Sequence, residues 1–231
     1  GANGILGSYL SIELPKKGLN VLKIGRIEGT KISKYIKNEL NENIGDFSTI
    51  INCVALTNVD KCEKDIELAY QSNAFYVKNI LSEIDMQNKH FIQISTDQVY
   101  SGKGPHKENY PSPINIYGLT KHLGEEYCKN IFSTILRINY LAKSPYLNKY
   151  SFADWLFNSL KETKKITLFD NVIFNPLHIS DLCGYIFDLI ENPKQGVFNL
   201  GSRNYITKSD FGIKFAKKLN LSTSNITIGK S

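Results

Sequence analysis

Apolar residues recur along the chain at spacings that alternate between those typical of helices and those typical of strands. A first helix is predicted by the apolar positions Ile5, Leu6, Tyr9 and Leu10. Residues 19–25 predict a strand, residues 31–43 are polar and only weakly helical, and residues 49–54 predict a buried parallel strand. Apolar positions from Ile66 to Leu81 then predict a core-facing helix. Asn73 lies on its apolar face and therefore needs a hydrogen-bond partner.

The second half of the chain continues this alternation. Strands are predicted at residues 91–94, 134–139, 166–169 and 196–201, and helices from near Tyr117, at residues 152–160 and at residues 211–219. No internal repeat, low-complexity tract or long linker interrupts the pattern. We therefore predict an α/β fold with a doubly wound parallel sheet of the Rossmann type.

The predicted helix near Tyr117 carries the first candidate chemistry. Its apolar positions recur in steps of four and are predicted to be buried: Leu119, Leu123, Tyr127 and Ile131. Tyr117 and Lys121 would then lie together at the start of the helix, because positions i and i+4 share a face. A free tyrosine has a pKa near ~10, and a neighbouring ammonium stabilises its phenolate, so the pair suits proton transfer. An isolated Tyr-x-x-x-Lys match is more often an exposed tyrosine beside a solvated lysine.

Two further stretches favour the catalytic interpretation. Gly1, Gly4 and Gly7 form a Gly-x-x-Gly-x-x-Gly run that leads into the first helix, where glycine lets the backbone approach a pyrophosphate. The strand at residues 91–94 ends in Ser95 and Thr96, which places hydroxyl groups at the carboxyl end of a strand. Ligands of open α/β sheets bind at that edge.

Together these motifs resemble the extended short-chain dehydrogenases/reductases. The resemblance rests on Gly1 to Gly7, on Ser95-Thr96-Asp97-Gln98-Val99-Tyr100 and on Tyr117-Gly118-Leu119-Thr120-Lys121. Within that family the chain is most similar to the dTDP-4-dehydrorhamnose reductase branch, through residues 51–63, 95–97 and 115–125. The likeness covers nearly the whole chain. It also makes residues 175–182 the entry to a helix, with Ser180 as a candidate cap.

The resemblance implies a role for individual residues. Tyr117 would be the proton donor, Lys121 the cation that lowers its pKa and contacts the nicotinamide ribose, and Thr96 the hydroxyl that orients the carbonyl, with Ser95 as the second choice. Cofactor contacts are expected at Gly1, Asn3, Gly4, Ile5, Leu6, Gly7, Arg26, Ala55, Leu56, Thr57, Tyr117 and Lys121. Substrate contacts are expected at Thr96, Asp97, Val99 and Tyr100.

Arg26 bears on the choice of cofactor. It follows the strand predicted at residues 19–25, where an acidic residue would bind the ribose 2′-hydroxyl and an arginine accommodates a 2′-phosphate. We therefore expect NADP(H), with NAD(H) as the alternative. The alternative for the residue itself is a solvated loop arginine.

Composition bounds the organisation of the chain and its partners. With 231 residues, 42% of them hydrophobic, the chain can bury one core with a small lobe. We expect an NADP-binding domain at 1–140 and a substrate lobe at 141–231 that returns to the sheet near 196–200.

The net charge of +6 comes from dispersed lysines without interleaved aromatics, which argues against nucleic acid as a partner. Four cysteines without Cys-x-x-Cys spacing are expected to be free thiols, and no histidine pair has ligand spacing, so we expect no metal.

The sequence thus predicts a reductase of the 4-keto group of a nucleotide-activated deoxysugar, in the biosynthesis of surface-polysaccharide sugars. An epimerase or dehydratase of the same family and a non-catalytic, cofactor-binding regulatory subunit remain as alternatives. No apolar run of membrane-spanning length is present, so a cytoplasmic location is expected, with a homodimer as the candidate assembly. Because a phosphate-binding loop normally follows a buried strand, we expect the numbering to omit the first strand, and the family's lobe to continue beyond Ser231.

Overall fold

The computed structural model describes residues 1–25 and 47–231, and the chain divides into two compact units. The first unit comprises Gly1–Ile138 and Cys183–Leu200, and the second comprises Asn139–Leu182 and Gly201–Ser231. Arg26 and the weak helix predicted at residues 31–43 lie outside the described residues.

The described elements follow the predicted alternation. The helices are α1 (Ile5–Lys16), α2 (Val59–Lys64), α3 (Ile66–Tyr70), α4 (Tyr76–Glu83), α5 (Ile116–Tyr127), α6 (Phe152–Lys161), α7 (Ile179–Glu191) and α8 (Lys208–Lys218). The strands are β1 (Thr49–Asn52), β2 (His90–Thr96), β3 (Ser133–Ile138), β4 (Tyr140–Leu141), β5 (Ile166–Phe169), β6 (Ile173–Phe174), β7 (Leu177–His178), β8 (Gly196–Leu200), β9 (Ile206–Thr207) and β10 (Ile226–Gly229). A π-helical turn, Gln71–Phe75, joins α3 to α4, and a 3₁₀ turn, Asp97–Val99, follows β2.

The first unit is built on a parallel sheet with the strand order β1-β2-β3-β8. Ile94 of β2 lies opposite Leu136 of β3, which in turn lies opposite Phe198 of β8. Every residue of β2 and β3 is buried, as expected for strands covered on both faces. The predicted parallel sheet with flanking helices is therefore confirmed.

Three helices of this unit begin at side-chain caps. Asn58, Asp65 and Asn115 accept hydrogen bonds from main-chain N–H groups in the first turns of α2, α3 and α5. The core contains Tyr76, Val77, Ile80, Phe91, Cys128 and Ile135. It is assembled from α4, β2, β3 and Cys128, the residue after α5, so β2 and α5 share one packed support.

Two of the local predictions were wrong. Residues 19–25 form no strand, because a strand needs a ladder partner. The Ile24 oxygen accepts from the Gly1 amine and the Ala2 N–H, and the Leu19 N–H donates to the Leu14 oxygen of α1. Ser180 is not a cap, because α7 already begins at Ile179 and the Ser180 hydroxyl pairs with His178 Nδ1 at 2.7 Å.

The second unit has its own core and short two-stranded sheets. β5 pairs in parallel with β10, β4 with β7, and β6 pairs antiparallel with β9. Its buried core comprises Leu156, Leu160, Ile166, Leu168 and Ala216, and α6 begins at a capping box formed by Ser151 and Asp154. The amphipathic helix predicted at residues 152–160 is confirmed, whereas β10 was not predicted.

None of the helices within residues 1–25 and 47–231 combines the length and the apolar character that crossing a bilayer requires.

Candidate active site

The start of α5 is seated on the 3₁₀ turn that follows β2. Asn115 Oδ1 accepts a hydrogen bond from the Gly118 N–H at 2.7 Å, and Asn115 Nδ2 donates to Gln98 Oε1 at 3.1 Å. A Cβ atom at Gly118 would lie 2.2 Å from the main-chain oxygen of Gln98, so this close approach requires glycine. Tyr117 consequently lies in a first helical turn that is packed directly against the end of β2.

The buried face of α5 is polar, which corrects the prediction from apolar spacing. That prediction placed Leu119 and Leu123 in the core, yet Leu119 is 41% exposed and Leu123 is 36% exposed. Tyr117 and Lys121 are buried instead, with 8% and 2% of their surface exposed. This polar face finds partners on β2, on β3 and in the π-helical turn. A polar group with partners can occupy a buried position.

The Lys121 side chain is bonded to the main chain of β2. Its Nζ donates to the Ile94 carbonyl oxygen at 2.5 Å. Burial lowers the pKa of Lys121 from 10.5 to about 8, and the charge of Glu125 opposes that shift. Lys121 lies one helical turn after Tyr117, so the structure brings the predicted phenol and ammonium onto one buried helix face.

Thr96 stands at the carboxyl end of β2, two residues after Ile94. Its Oγ1 accepts a hydrogen bond from the Gln98 N–H at 3.2 Å and lies 3.3 Å from Asp97 Oδ1. Because Ile94 also binds Lys121, a single strand connects Thr96 to the Tyr117–Lys121 pair. The predicted catalytic residues are thus held by β2 and α5, which are joined by a direct hydrogen bond.

The glycine run forms the amino-terminal end of α1. Gly4 occupies the cap position and provides no side-chain cap, and no acidic residue lies in the first turn. Ser8 Oγ turns back to donate to the Gly4 oxygen at 2.8 Å, and a Cβ atom at Gly7 would lie 2.2 Å from the Gly1 oxygen. A helix start without a side-chain cap fits an anionic group, because its N–H groups and dipole favour negative charge.

The predicted cofactor stretch Ala55, Leu56 and Thr57 is held by Asn73 in the π-helical turn. Asn73 Oδ1 accepts from the Leu56 N–H at 2.7 Å, and Asn73 Nδ2 donates to the Leu56 oxygen at 3.2 Å and to Thr120 Oγ1 at 3.1 Å. The predicted need of Asn73 for a partner is confirmed. One amide therefore links the chain after β1 to α5.

Two buried charged residues were missed by the sequence reasoning. Glu125 and Arg137 are 1% and 4% exposed, and they form a two-point ion pair with distances of 3.0 Å from Nε to Oε1 and 2.6 Å from Nη2 to Oε2. Burial alone would raise the pKa of Glu125, but hydrogen bonds from three side chains keep it below its ordinary value. Arg137 could have indicated this pair in the sequence, since a charged residue inside a predicted buried strand needs a buried partner.

The remaining predicted contacts are partly engaged within the protein. The Ser95 hydroxyl donates to Glu125 Oε1. Val99 is fully buried, whereas Asp97 and Tyr100 are half-buried. Their roles toward a substrate stay predictions.

A cavity of about 380 Å³ lies beside the glycine run and not beside Tyr117 and Lys121. It is lined by Gly1 and Gly7, by residues 19–24 and by residues 47–54, among others. Thr96, Tyr117 and Lys121 do not line it. The proposed chemistry therefore rests on the contacts of α5 and β2, and not on this cavity.

Comparisons of the sequence and of the structure with known proteins point to the same family. A model of the RmlD substrate binding domain matches residues 1–229. The chain is 27% identical over 236 residues to the probable low-salt glycan biosynthesis reductase Agl14 of Haloferax volcanii. This match covers 94% of this chain and 78% of that protein. It is 26% identical over 242 residues to the beta subunit of methionine adenosyltransferase 2 of Pongo abelii, covering 98% and 72%. The structure of dTDP-4-dehydrorhamnose reductase from Bacillus anthracis in complex with NADP matches with a TM-score of 0.86 at 27% identity, covering 100% of this chain and 82% of that one.

Proposed function

Because this chain belongs to the family of the RmlD substrate binding domain, within the extended short-chain dehydrogenases/reductases, we propose that it is an NADP(H)-dependent reductase. Its proposed substrate is the 4-keto group of a nucleotide-activated deoxysugar, as for dTDP-4-dehydrorhamnose reductase. The relative named as a glycan biosynthesis reductase supports a place in the synthesis of surface-polysaccharide sugars.

The observation that carries the proposal is the burial of Lys121 together with Tyr117. Holding an ammonium in a buried position costs free energy, as the lowered pKa of Lys121 shows. A solvated lysine beside an exposed tyrosine would carry no such cost. Lys121 is also bonded to β2, the strand that ends at Thr96. This arrangement supports proton transfer better than a purely structural role.

The residues of the glycine run fit the phosphates of a dinucleotide, because the α1 start has no side-chain cap. The residues proposed to hold NADP(H) are Gly1, Asn3, Gly4, Ile5, Leu6, Gly7, Arg26, Ala55, Leu56, Thr57, Tyr117 and Lys121. When bound, NADPH supplies the hydride. The protein supplies the position of the substrate and the proton.

In the proposed reaction the Tyr117 hydroxyl donates its proton to the carbonyl oxygen as that oxygen gains negative charge. The Lys121 ammonium stabilises the phenolate that remains and holds the nicotinamide ribose. The Thr96 hydroxyl donates a hydrogen bond to the same carbonyl oxygen and so orients it. Asp97, Val99 and Tyr100, in and just after the 3₁₀ turn that follows β2, are proposed substrate contacts.

The experiment is a panel of 4-keto nucleotide sugars with NADPH, followed by loss of NADPH absorbance. We expect at least one sugar to be reduced, and Tyr117→Phe to lower turnover by about 10²- to 10⁴-fold, as for loss of a general acid. Cofactor affinity should be nearly unchanged, because the ring remains. The control is Tyr205→Phe, at a tyrosine that is 74% exposed. A fully active Tyr117→Phe variant contradicts the assignment.

Two other functions predict different outcomes. An epimerase or dehydratase would convert the sugar without net oxidation of the cofactor. The similarity to a methionine adenosyltransferase subunit favours the second alternative, a regulatory subunit. Such a subunit would reduce no sugar. Tyr117→Phe would then change neither its cofactor affinity nor its binding to a partner.

A further inference from the structure

A chain of hydrogen bonds runs from α5 through β3 to the loop of residues 100–108. We propose that Arg137, Tyr100 and Asn199 anchor this loop and thereby position the substrate side of the site. Arg137 and Asn199 are in this sense positioning residues, which act through the loop and not on the reacting atoms. The part of the proposal that concerns substrate rests on the proposed function, whereas the anchoring of the loop does not.

The first step of the argument is that Arg137 makes more bonds than its pairing with Glu125 requires. Its Nε and Nη2 atoms bind the carboxylate, which already gives a two-point ion pair. Its Nη1 donates separately to the Tyr100 hydroxyl at 2.6 Å and to the Glu108 main-chain oxygen at 2.8 Å. A residue that served only to neutralise Glu125 would have no need of these two loop contacts.

The second step is that β8 holds the same loop from another strand. The Tyr100 hydroxyl, which accepts from Arg137, donates onward to Asn199 Oδ1 at 2.7 Å. Asn199 Nδ2 donates to the His106 oxygen at 3.0 Å, and the Asn199 N–H donates to Glu108 Oε1 at 3.1 Å. The ring of Tyr100 also stacks on His106, with centroids 4.7 Å apart and planes at 3°. The loop is thus fixed at its start and at its end.

The third step connects the anchor to the catalytic helix. Glu125, the other partner of Arg137, lies one turn after Lys121 on α5 and also accepts from Ser95, the neighbour of Thr96. A path of hydrogen bonds, buried at Glu125 and Arg137, therefore joins α5 and the end of β2 to the loop. Since the bonds of Arg137 are charge-assisted, they resist opening more than neutral ones do.

The experiment releases the loop without touching the buried ion pair. Tyr100→Phe removes the hydroxyl that joins Arg137 to Asn199 and keeps the stacked ring, and Asn199→Ala removes the side-chain bonds from β8. Tyr110→Phe is the matched control, because Tyr110 lies in the same region of the chain and is 73% exposed. All three side chains are at least partly exposed, so the variants are expected to fold.

Two measurements follow. Trypsin cleavage after the exposed Lys103 and Lys107, timed by mass spectrometry, reports opening of the loop. We expect it to accelerate roughly tenfold in Tyr100→Phe and Asn199→Ala, in line with the loss of hydrogen bonds in a charged network, and to be unchanged in Tyr110→Phe. In steady-state kinetics both anchor variants should raise the KM for the keto sugar several-fold, with a smaller change in kcat and an unchanged Kd for NADPH.

Each outcome bears on a separate claim. Unchanged cleavage in both anchor variants overturns the anchor. Faster cleavage with an unchanged KM overturns its role toward substrate. If the parent protein reduces no keto sugar, the proposed function fails together with the substrate part of this proposal, and the anchor is then judged on cleavage alone.

Discussion

The buried ammonium of Lys121 should leave a measurable trace in the pH dependence of stability. The pKa of Lys121 is lowered by burial from 10.5 to about 8 in the folded protein. Between those two values the unfolded chain binds more protons than the folded one, so the free energy of unfolding rises with pH in that interval. The cost of the buried charge is fully present below pH 8 and disappears above the unfolded pKa.

The magnitude follows from about 1.4 kcal/mol per pKa unit. The shift corresponds to a cost of about 3 kcal/mol at pH 7. At pH 9, where the folded amine is mostly neutral, about 2 kcal/mol of it remains. We therefore expect the ligand-free protein to gain roughly 1 kcal/mol between pH 7 and pH 9 from this residue.

The assay is urea denaturation at both pH values for the parent and for Lys121→Met, which keeps an unbranched side chain and removes the titrating group. The change in unfolding free energy with pH in the parent should exceed that in Lys121→Met by roughly 1 kcal/mol. Because buried cysteines also titrate above their usual range, only this difference between proteins is diagnostic. Lys217→Met, at an exposed lysine of α8, should behave as the parent does. Identical pH dependence in the parent and Lys121→Met would refute the reasoning.

Four further substitutions test other positions. Asn73→Ala should lower the unfolding free energy by about 1–3 kcal/mol in urea, because it leaves the Leu56 N–H without its partner, and unchanged stability would contradict that account. Gly118→Ala should cost about 1–3 kcal/mol through contact with the Gln98 oxygen, whereas Gly184→Ala, which meets no atom within 4 Å in α7, should gain up to about 1 kcal/mol. Arg26→Ala should abolish a preference for NADPH of roughly tenfold or more; equal Kd values for NADPH and NADH in the parent would discard the role of Arg26.

The sequence alone predicted the strands that are both apolar in sequence and paired with a neighbouring strand in the structure. β2 and β3 are fully buried, and their apolar runs predicted them within a residue or two. The stretch at residues 19–25 shows the limit of this approach. It has the same alternation, but a strand also requires a neighbour at hydrogen-bonding distance, which local spacing does not reveal.

The candidate site shows a second limit. Spacing in steps of four identified Tyr127 and Ile131 as core-facing, and both pack against the core. It failed for Leu119 and Leu123, because the start of α5 buries polar side chains whose partners come from distant strands. Lys121 finds Ile94, 27 residues earlier in the chain. Such long-range pairs determine which helix face is inside, and no local pattern contains them.

Gly118 and Gly124 give α5 a property that matters for evolution and for engineering. At both positions an added Cβ would meet a main-chain oxygen, that of Gln98 at 2.2 Å and that of Asn73 at 2.4 Å. The helix is therefore fitted to the backbone of its neighbours, which changes little when their side chains are exchanged. Under the proposed function, a lineage could accordingly change its preferred sugar through the loop of residues 100–108 while α5 keeps the spacing of Tyr117 and Lys121. Directed evolution of new specificity should randomise that loop and leave α5 untouched.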